Sequence, residues 1–284
     1  MPASGTTLHY RQSKHSPDLV IFGEQFSDRM RSATFHSNAP VPQSPKIFSV
    51  LGFPVHLIPD YVDWLSGRVA RQQGTHVVTL NAEMTMQAEQ DPLLADIIHQ
   101  ASLVIPDGAG IVLYLQLHGQ SVRRCPGIEL SERLLQYSTQ QPAPWSVFFY
   151  GGAPEVAEAA AHRLQTRIPG LNIVGTQNGY LSDSEMPTFL AHLCALNPQI
   201  IYVGLGVPRQ EYWIAQHRHL LPNAIWIGVG GSFDIWAERK KRAPGWLRNN
   251  HLEWVYRLYQ EPWRWRRMLA LPQFAWRSLL AKFR

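Results

Sequence analysis

Between residues 75 and 229, six short apolar runs (THVVTLN, SLVIP, WSVFFY, LNIVGT, QIIYVG and AIWIGV) alternate with segments of helical length. No other feature restricts the fold as much. Parallel neighbours must be joined by crossovers that cover the sheet faces, so this alternation predicts an α/β fold: a mostly parallel, Rossmann-like sheet flanked by helices. Two of the runs end alike. Ile200–Glu211 (IIYVGLGVPRQE) and Ala224–Asp234 (AIWIGVGGSFD) each pass from a strand into a Gly-x-Gly turn with polar side chains. Glycine leaves backbone N–H groups uncovered, and a helix N-terminus just beyond favours anions. A third run, LVIPDGAG, ends in Asp107. Its carboxylate is expected at the same crevice, outside the carboxyl ends of the strands, where α/β sheets bind ligands. Tight strand–helix turns also serve purely structural ends, and Asp107 is equally placed to cap a helix starting near Ala109.

The remaining elements follow from periodicity. KIFSVLGFPVHLI reads as two short extended runs, and Asp60 can cap a helix reaching about Gln73. Asp183 or Ser184 is expected to cap a helix ending near Leu196. Asp183-Ser-Glu185 is the nearest approach to an Asp-x-Asp metal motif and reads as a cap, while His217 and His219, two apart on a helix, point to different sides. No metal site is expected. Residues 1–45, rich in Ser, Pro and His, read as a mostly disordered extension without an apolar leader. The two cysteines, Cys125 and Cys194, form no motif and fit a reducing compartment. No window approaches the roughly 18 uninterrupted apolar residues of a membrane span. The expected location is therefore the cytosol or the cytosolic face of a membrane.

Charge divides the chain sharply. Residues 239–284 carry 12 Lys and Arg against Glu253 and Glu261, and five of the ten tryptophans, whereas the first 238 residues have a net charge of −5. Basic and aromatic residues interleaved at helical spacing suit the headgroup layer of an anionic bilayer. A helix docked on its own domain is the plain alternative. Nucleic acid is the weakest reading, because the body is acidic. The expected organisation is an extension (1–45), a catalytic α/β domain (46–238) and a basic, Trp-rich helical appendage (239–284).

An ordered set of blocks runs from about residue 46 to 268: VVTLNAEM, LVIPDGAGI, RRCPGIEL, YGGAPEVAEAAAHRL, LNIVGTQNGYL, VGLGVPRQEYWI, GVGGSFD and KRAPGWLRNNHLEWVYRLYQEP. Together they resemble the WecG/TagA/CpsF glycosyltransferases, glycosyltransferase family 26. The resemblance implies inverting, metal-independent transfer of N-acetylmannosamine, its uronic acid or a related hexose. The donor is a UDP-sugar and the acceptor a sugar on polyprenyl diphosphate; no cofactor is implied. It leaves homo-oligomerisation open, and a UDP-sugar-binding or regulatory protein on the same fold is the alternative.

Carried over residue by residue, the resemblance implies that Asp107 is the catalytic base and that Thr79 and Asn81 line the sugar pocket. Arg124 matches the arginine before a short turn, although neighbouring Arg123 leaves the register open, and Cys125 and Pro126 stand where small residues are usual. Gln210 matches a sugar- or phosphate-contacting residue. Tyr180 and Asp234 match positions near the uridine, with a helix cap the alternative for Asp234. Arg257, Arg264 and Arg267 match arginines that fold over the site and hold diphosphate. Their spacing of seven and three would put them near one face of a continuous helix, and Pro262 is expected to bend or restart that helix.

Overall fold

The computed structural model describes residues 45–250 and 252–282. The expected disorder of residues 1–45 therefore concerns a segment almost wholly outside the described residues. The first element described is a hairpin, β1 (Lys46–Val50) and β2 (Phe53–Leu57), joined by Leu51 and Gly52, both at positive φ. A two-residue turn of that kind matches the twist of the flanking strands. The hairpin lies against the outer strand of the main sheet, where the Val104 N–H donates to His56 Nδ1 at 2.9 Å. Asp60 caps α1 (Tyr61–Ala70) by accepting from the Val62 and Asp63 N–H groups.

The alternation then unfolds as expected: β3 (Thr75–Leu80), α2 (Ala82–Ala88), α3 (Pro92–Gln100), β4 (Leu103–Pro106), α4 (Ala109–Leu117), α5 (Gly127–Ser138), β5 (Val147–Gly151), α6 (Val156–Arg167), β6 (Ile173–Gln177), α7 (Met186–Leu196), β7 (Ile200–Gly204), α8 (Arg209–His217), β8 (Ile225–Gly228) and α9 (Ser232–Trp236). The six main strands are all parallel, in the order β4-β3-β8-β7-β5-β6. The start of α7 differs from expectation. Neither Asp183 nor Ser184 caps it; instead Glu185 Oε2 accepts from the Ser182 N–H and hydroxyl, one turn earlier.

Period-two alternation sorts the core. Val77, Leu103, Ile105, Ile225 and Ile227 pack with α5, α6 and α9 on one face, through Leu134, Leu164, Phe233 and Trp236 among others. Val78, Leu80 and Val104 pack on the other face with α2 and α3, through Met84, Leu94 and Ile98. Each such side chain, fully buried, contributes about 1.5–3 kcal/mol. The chain thus leaves β3 toward one face, and leaves the adjacent β8 toward the other. Neighbouring strands whose connections diverge in this way open a crevice at their carboxyl ends, the place where ligands bind in open α/β sheets.

Past residue 239 the tail forms α10 (Gly245–Asn249), α11 (Glu253–Gln260), a 3-10 turn (Pro262–Arg264), α12 (Trp265–Met268) and α13 (Ala270–Lys282). It is not held apart from the body. Helix α13 packs on α2 and α4, burying Phe274 to 3% exposure against Tyr114 and its neighbours. No helix of the described residues is long and apolar enough to cross a membrane.

Candidate active site

A polar cavity of about 180 Å3 opens at the carboxyl ends of β3, β4 and β8. Thr79, near the end of β3, lines it, with its hydroxyl 3.4 Å from the Gly228 carbonyl. Gly127 backs onto Thr79 so closely that a Cβ there would lie 2.8 Å from Thr79 Cγ2. Asn81 follows β3 and caps α2, its Oδ1 accepting from the Met84 N–H at 3.0 Å.

Asp107 follows β4, its N–H donating to Leu80 O at 3.0 Å. It does not cap α4: the residue before that helix is Gly108, and no side chain bonds the helix end. Its Oδ1 instead accepts from the Gly127 N–H at 3.1 Å, across space, at the start of the twelve-residue α5. A carboxylate at a helix N-terminus is favoured by the aligned peptide dipoles. Burial pushes the Asp107 carboxyl above its ordinary range. The Arg257 guanidinium, the Gly127 N–H and Arg124 oppose that rise, and Glu253 reinforces it. A carboxyl poised this way is suited to accept a proton.

The glycine wall is set from behind. Gln210 Oε1 accepts from the Gly230 N–H at 2.9 Å, and its Nε2 donates to Glu211 Oε1 at 2.9 Å. Glu211 Oε2 lies 2.8 Å from His76 Nε2, and all three side chains are buried. Gln210 borders the cavity, but both polar atoms of its amide are bonded within the protein. It shapes the turn that a ligand would meet. Gly230, at positive φ, makes that turn possible, as Gly206 does for the turn after β7. Sequence reasoning missed the pairing of His76 with Glu211. No local pattern joins residues 135 apart; the one available signal was a polar residue inside a strand-like apolar run.

The opposite wall comes from the tail. Lys240, Lys241, Arg242, Arg257 and Arg267 all line the cavity. Glu253, 12% exposed, gathers the arginines: Arg257 lies 3.0 Å away, Arg124 3.2 Å and Arg242 3.9 Å. Burial by itself would raise the Glu253 carboxyl, but these three guanidiniums outweigh it and hold the group below its ordinary range. Of the two neighbouring arginines, Arg124 turns inward to Glu253 and Arg123 is exposed. Arg267 pairs with Glu83 of α2.

One expectation needs correction, and two of the matched residues stand outside the cavity lining. The tail arginines do not share one helical face, because α11 ends at Gln260 and Pro262 opens a 3-10 turn before α12; Arg257 and Arg267 reach the cavity from separate elements. The Arg264 backbone belongs to that turn, and its side chain lies outside the described residues. Tyr180, 73% exposed beyond β6, is not among the residues lining the cavity. Asp234 is no helix cap: it sits in the first turn of α9, 3.6 Å from Lys240, beside the lining rather than in it.

The family model for the glycosyl transferase WecG/TagA/CpsF family matches residues 48–284. The chain belongs to this family. It is a glycosyltransferase. An N-acetylglucosaminyldiphosphoundecaprenol N-acetyl-beta-D-mannosaminyltransferase of Bacillus spizizenii is 36% identical over 237 residues, covering 83% of this chain and 88% of its own. A protein of the same name from Bacillus subtilis strain 168 is 33% identical over 217 residues, covering 76% and 83%. For a WecG/TagA/CpsF enzyme the cavity has complementary walls: a carboxylate and backbone N–H groups on one side, and cations that can hold anionic oxygens on the other.

Proposed function

We propose that this enzyme transfers N-acetylmannosamine, or its uronic acid, from a UDP-sugar to a sugar carried on polyprenyl diphosphate, inverting the anomeric carbon without a metal. The observation that carries the reading is Asp107, held by the Gly127 N–H at the floor of a cavity whose opposite wall is built of tail cations. The names of the two Bacillus relatives, which specify a mannosaminyl donor group and an undecaprenyl-diphosphate-linked acceptor, support it. In the reaction Asp107 takes the proton of the acceptor hydroxyl while that oxygen attacks the anomeric carbon from the face opposite UDP. The bond to the UDP oxygen breaks, and the charge left on the diphosphate is met by Arg267, Lys240 and the glycine N–H groups. Thr79 and Asn81 border the place of the sugar.

The acceptor is a membrane lipid, and α11 suits a peripheral position on the inner face of the cell membrane. It turns Glu253, Tyr256, Arg257 and Gln260 to the cavity and leaves Trp254, Val255 and Tyr259 outside. Aromatic rings next to basic side chains favour an anionic interface.

The test is a screen of UDP-sugars with polyprenyl-diphosphate-linked N-acetylglucosamine in EDTA, with the product identified by mass and its anomeric configuration by NMR. Transfer from UDP-N-acetylmannosamine or its uronic acid with inversion is expected. A retained configuration, or activity abolished by chelation and restored by Mg2+ or Mn2+, would contradict the mechanism.

A further inference from the structure

A second, larger cavity of about 490 Å3 lies between α4 and α13, and it is apolar. Leu113, Tyr114 and Leu117 form one wall, and Leu271, Phe274 and Leu279 the other. Tyr114 and Phe274 meet edge to face at 6.2 Å, while Leu113, Leu117 and Leu279 are each about half exposed. Its volume falls within the roughly 300–1,000 Å3 usual for small-molecule clefts.

The two cavities are continuous. Asn81, Glu83, Asp107, Glu253 and Arg257 line both, and Arg124 lines the apolar one. Hydrocarbon walls therefore begin where three carboxylates and two guanidiniums end. A sugar nucleotide is polar along its length and has no use for such walls. The matching occupant carries an anionic, hydrogen-bonding head on a hydrocarbon chain. Bidentate guanidinium groups at the junction suit a diphosphate head. Trp254 lines the groove and Trp276 is exposed on α13, so a long chain leaving the groove would emerge beside aromatic residues suited to a bilayer interface.

We propose that the groove between α4 and α13 holds the first isoprene units of the acceptor, with Arg124 and Arg257 holding its diphosphate at the junction. This rests on the acceptor assignment made above. The groove then acts as a ruler: it sets the lipid-linked sugar at a fixed distance from Asp107, and it admits the acceptor from the side opposite the glycine turns.

The test uses the full chain without vesicles and measures binding of farnesyl diphosphate, inorganic diphosphate and UDP. Farnesyl diphosphate is expected to bind at least tenfold more tightly than inorganic diphosphate. The double variant Leu113→Gln/Leu279→Gln should remove that advantage while UDP binding, which reports an intact fold, stays unchanged. Leu113→Met/Leu279→Met should retain it. Equal affinity for the two diphosphates, or a glutamine variant that binds farnesyl diphosphate normally, overturns the proposal. The same glutamine variant distinguishes the other occupants. An effect confined to vesicle binding assigns the groove to bilayer insertion, and one confined to sedimentation mass assigns it to a second copy of the chain; either result overturns the proposal. Transfer to prenyl-diphosphate-linked N-acetylglucosamine in the same buffer is read separately. Failure of that transfer with tight farnesyl diphosphate binding would sink the acceptor assignment while leaving a prenyl diphosphate groove standing.

Discussion

The body and the tail contribute opposite chemistry to one cavity. Up to residue 238 the polar lining consists of the Glu83 and Asp107 carboxylates, the Thr79 and Ser232 hydroxyls, amides and glycine N–H groups; the Lys and Arg side chains lining it all come from beyond residue 239. Within the tail, two helices differ just as sharply. Helix α13 turns its apolar side inward and buries Phe274 in the body's core. Helix α11 turns its polar side inward, and Tyr259 on its outer side is 82% exposed. The difference teaches that the basic segment is not a separate anchor. One part of it completes the core, another closes the active site, and the outward aromatic face of α11 is surface that a partner or a membrane would cover.

The comparison breaks most completely if the body works alone. Ending the chain after Lys241 removes Arg242, Arg257 and Arg267 and uncovers the α4 face, so transfer to the lipid acceptor should be abolished and the thermal midpoint lowered. Full activity of the truncated body in a radiolabelled transfer assay would end the idea of a shared site. Next in size, Asp107→Asn should lower kcat by about two to four powers of ten, the usual contribution of a general base, with UDP affinity retained. Near-normal turnover would remove Asp107 from the chemistry.

The contrast between the two tail helices is sharpened by stability measurements. Phe274→Ala should cost about 3–5 kcal/mol in denaturant unfolding, because a buried ring is deleted. Tyr259→Ala, on the outward face of α11, should stay within about 0.5 kcal/mol. Similar losses for both would mean that the tail packs as one unit.

The smallest expected effects are shifts in pH dependence. In the proposed mechanism Asp107 acts as its charged form, so kcat/KM should fall as pH drops through its raised folded-state pKa, placing the acid limb above the ordinary carboxylate range. Arg257→Ala removes a charge that lowers this pKa and should move the limb to higher pH. Glu253→Gln removes a charge that raises it and should move the limb to lower pH. Shifts of the same sign in both variants would show that Asp107 does not report the electrostatics of the tail.

Much of the molecule was legible without coordinates because the signals are local. The alternation of buried strands and helices, the Asp60 cap, the Gly-x-Gly turns and the polarity of the tail each depend on residues close in sequence, and the ordered blocks pointed to the family. Asp107 could be singled out because it stands at a strand end, and Thr79 and Asn81 because they match the family's blocks. What remained hidden depends on residues brought together from far apart. Asp107 had two local readings, and only the approach of Gly127 showed that its partner is α5 rather than α4. The His76–Glu211–Gln210 chain behind the glycine turn leaves no pattern in the sequence, since each residue is ordinary where it stands. Helical spacing placed three arginines on one face, but Pro262 ends the helix, and tertiary packing returns Arg257 and Arg267 to the same cavity by another route. Sequence alone determined the layers and the strand ends, because hydrophobic period and turn chemistry act over a few residues. Only the tertiary structure decided which charges face which, because Coulomb attraction and burial depend on distance in space.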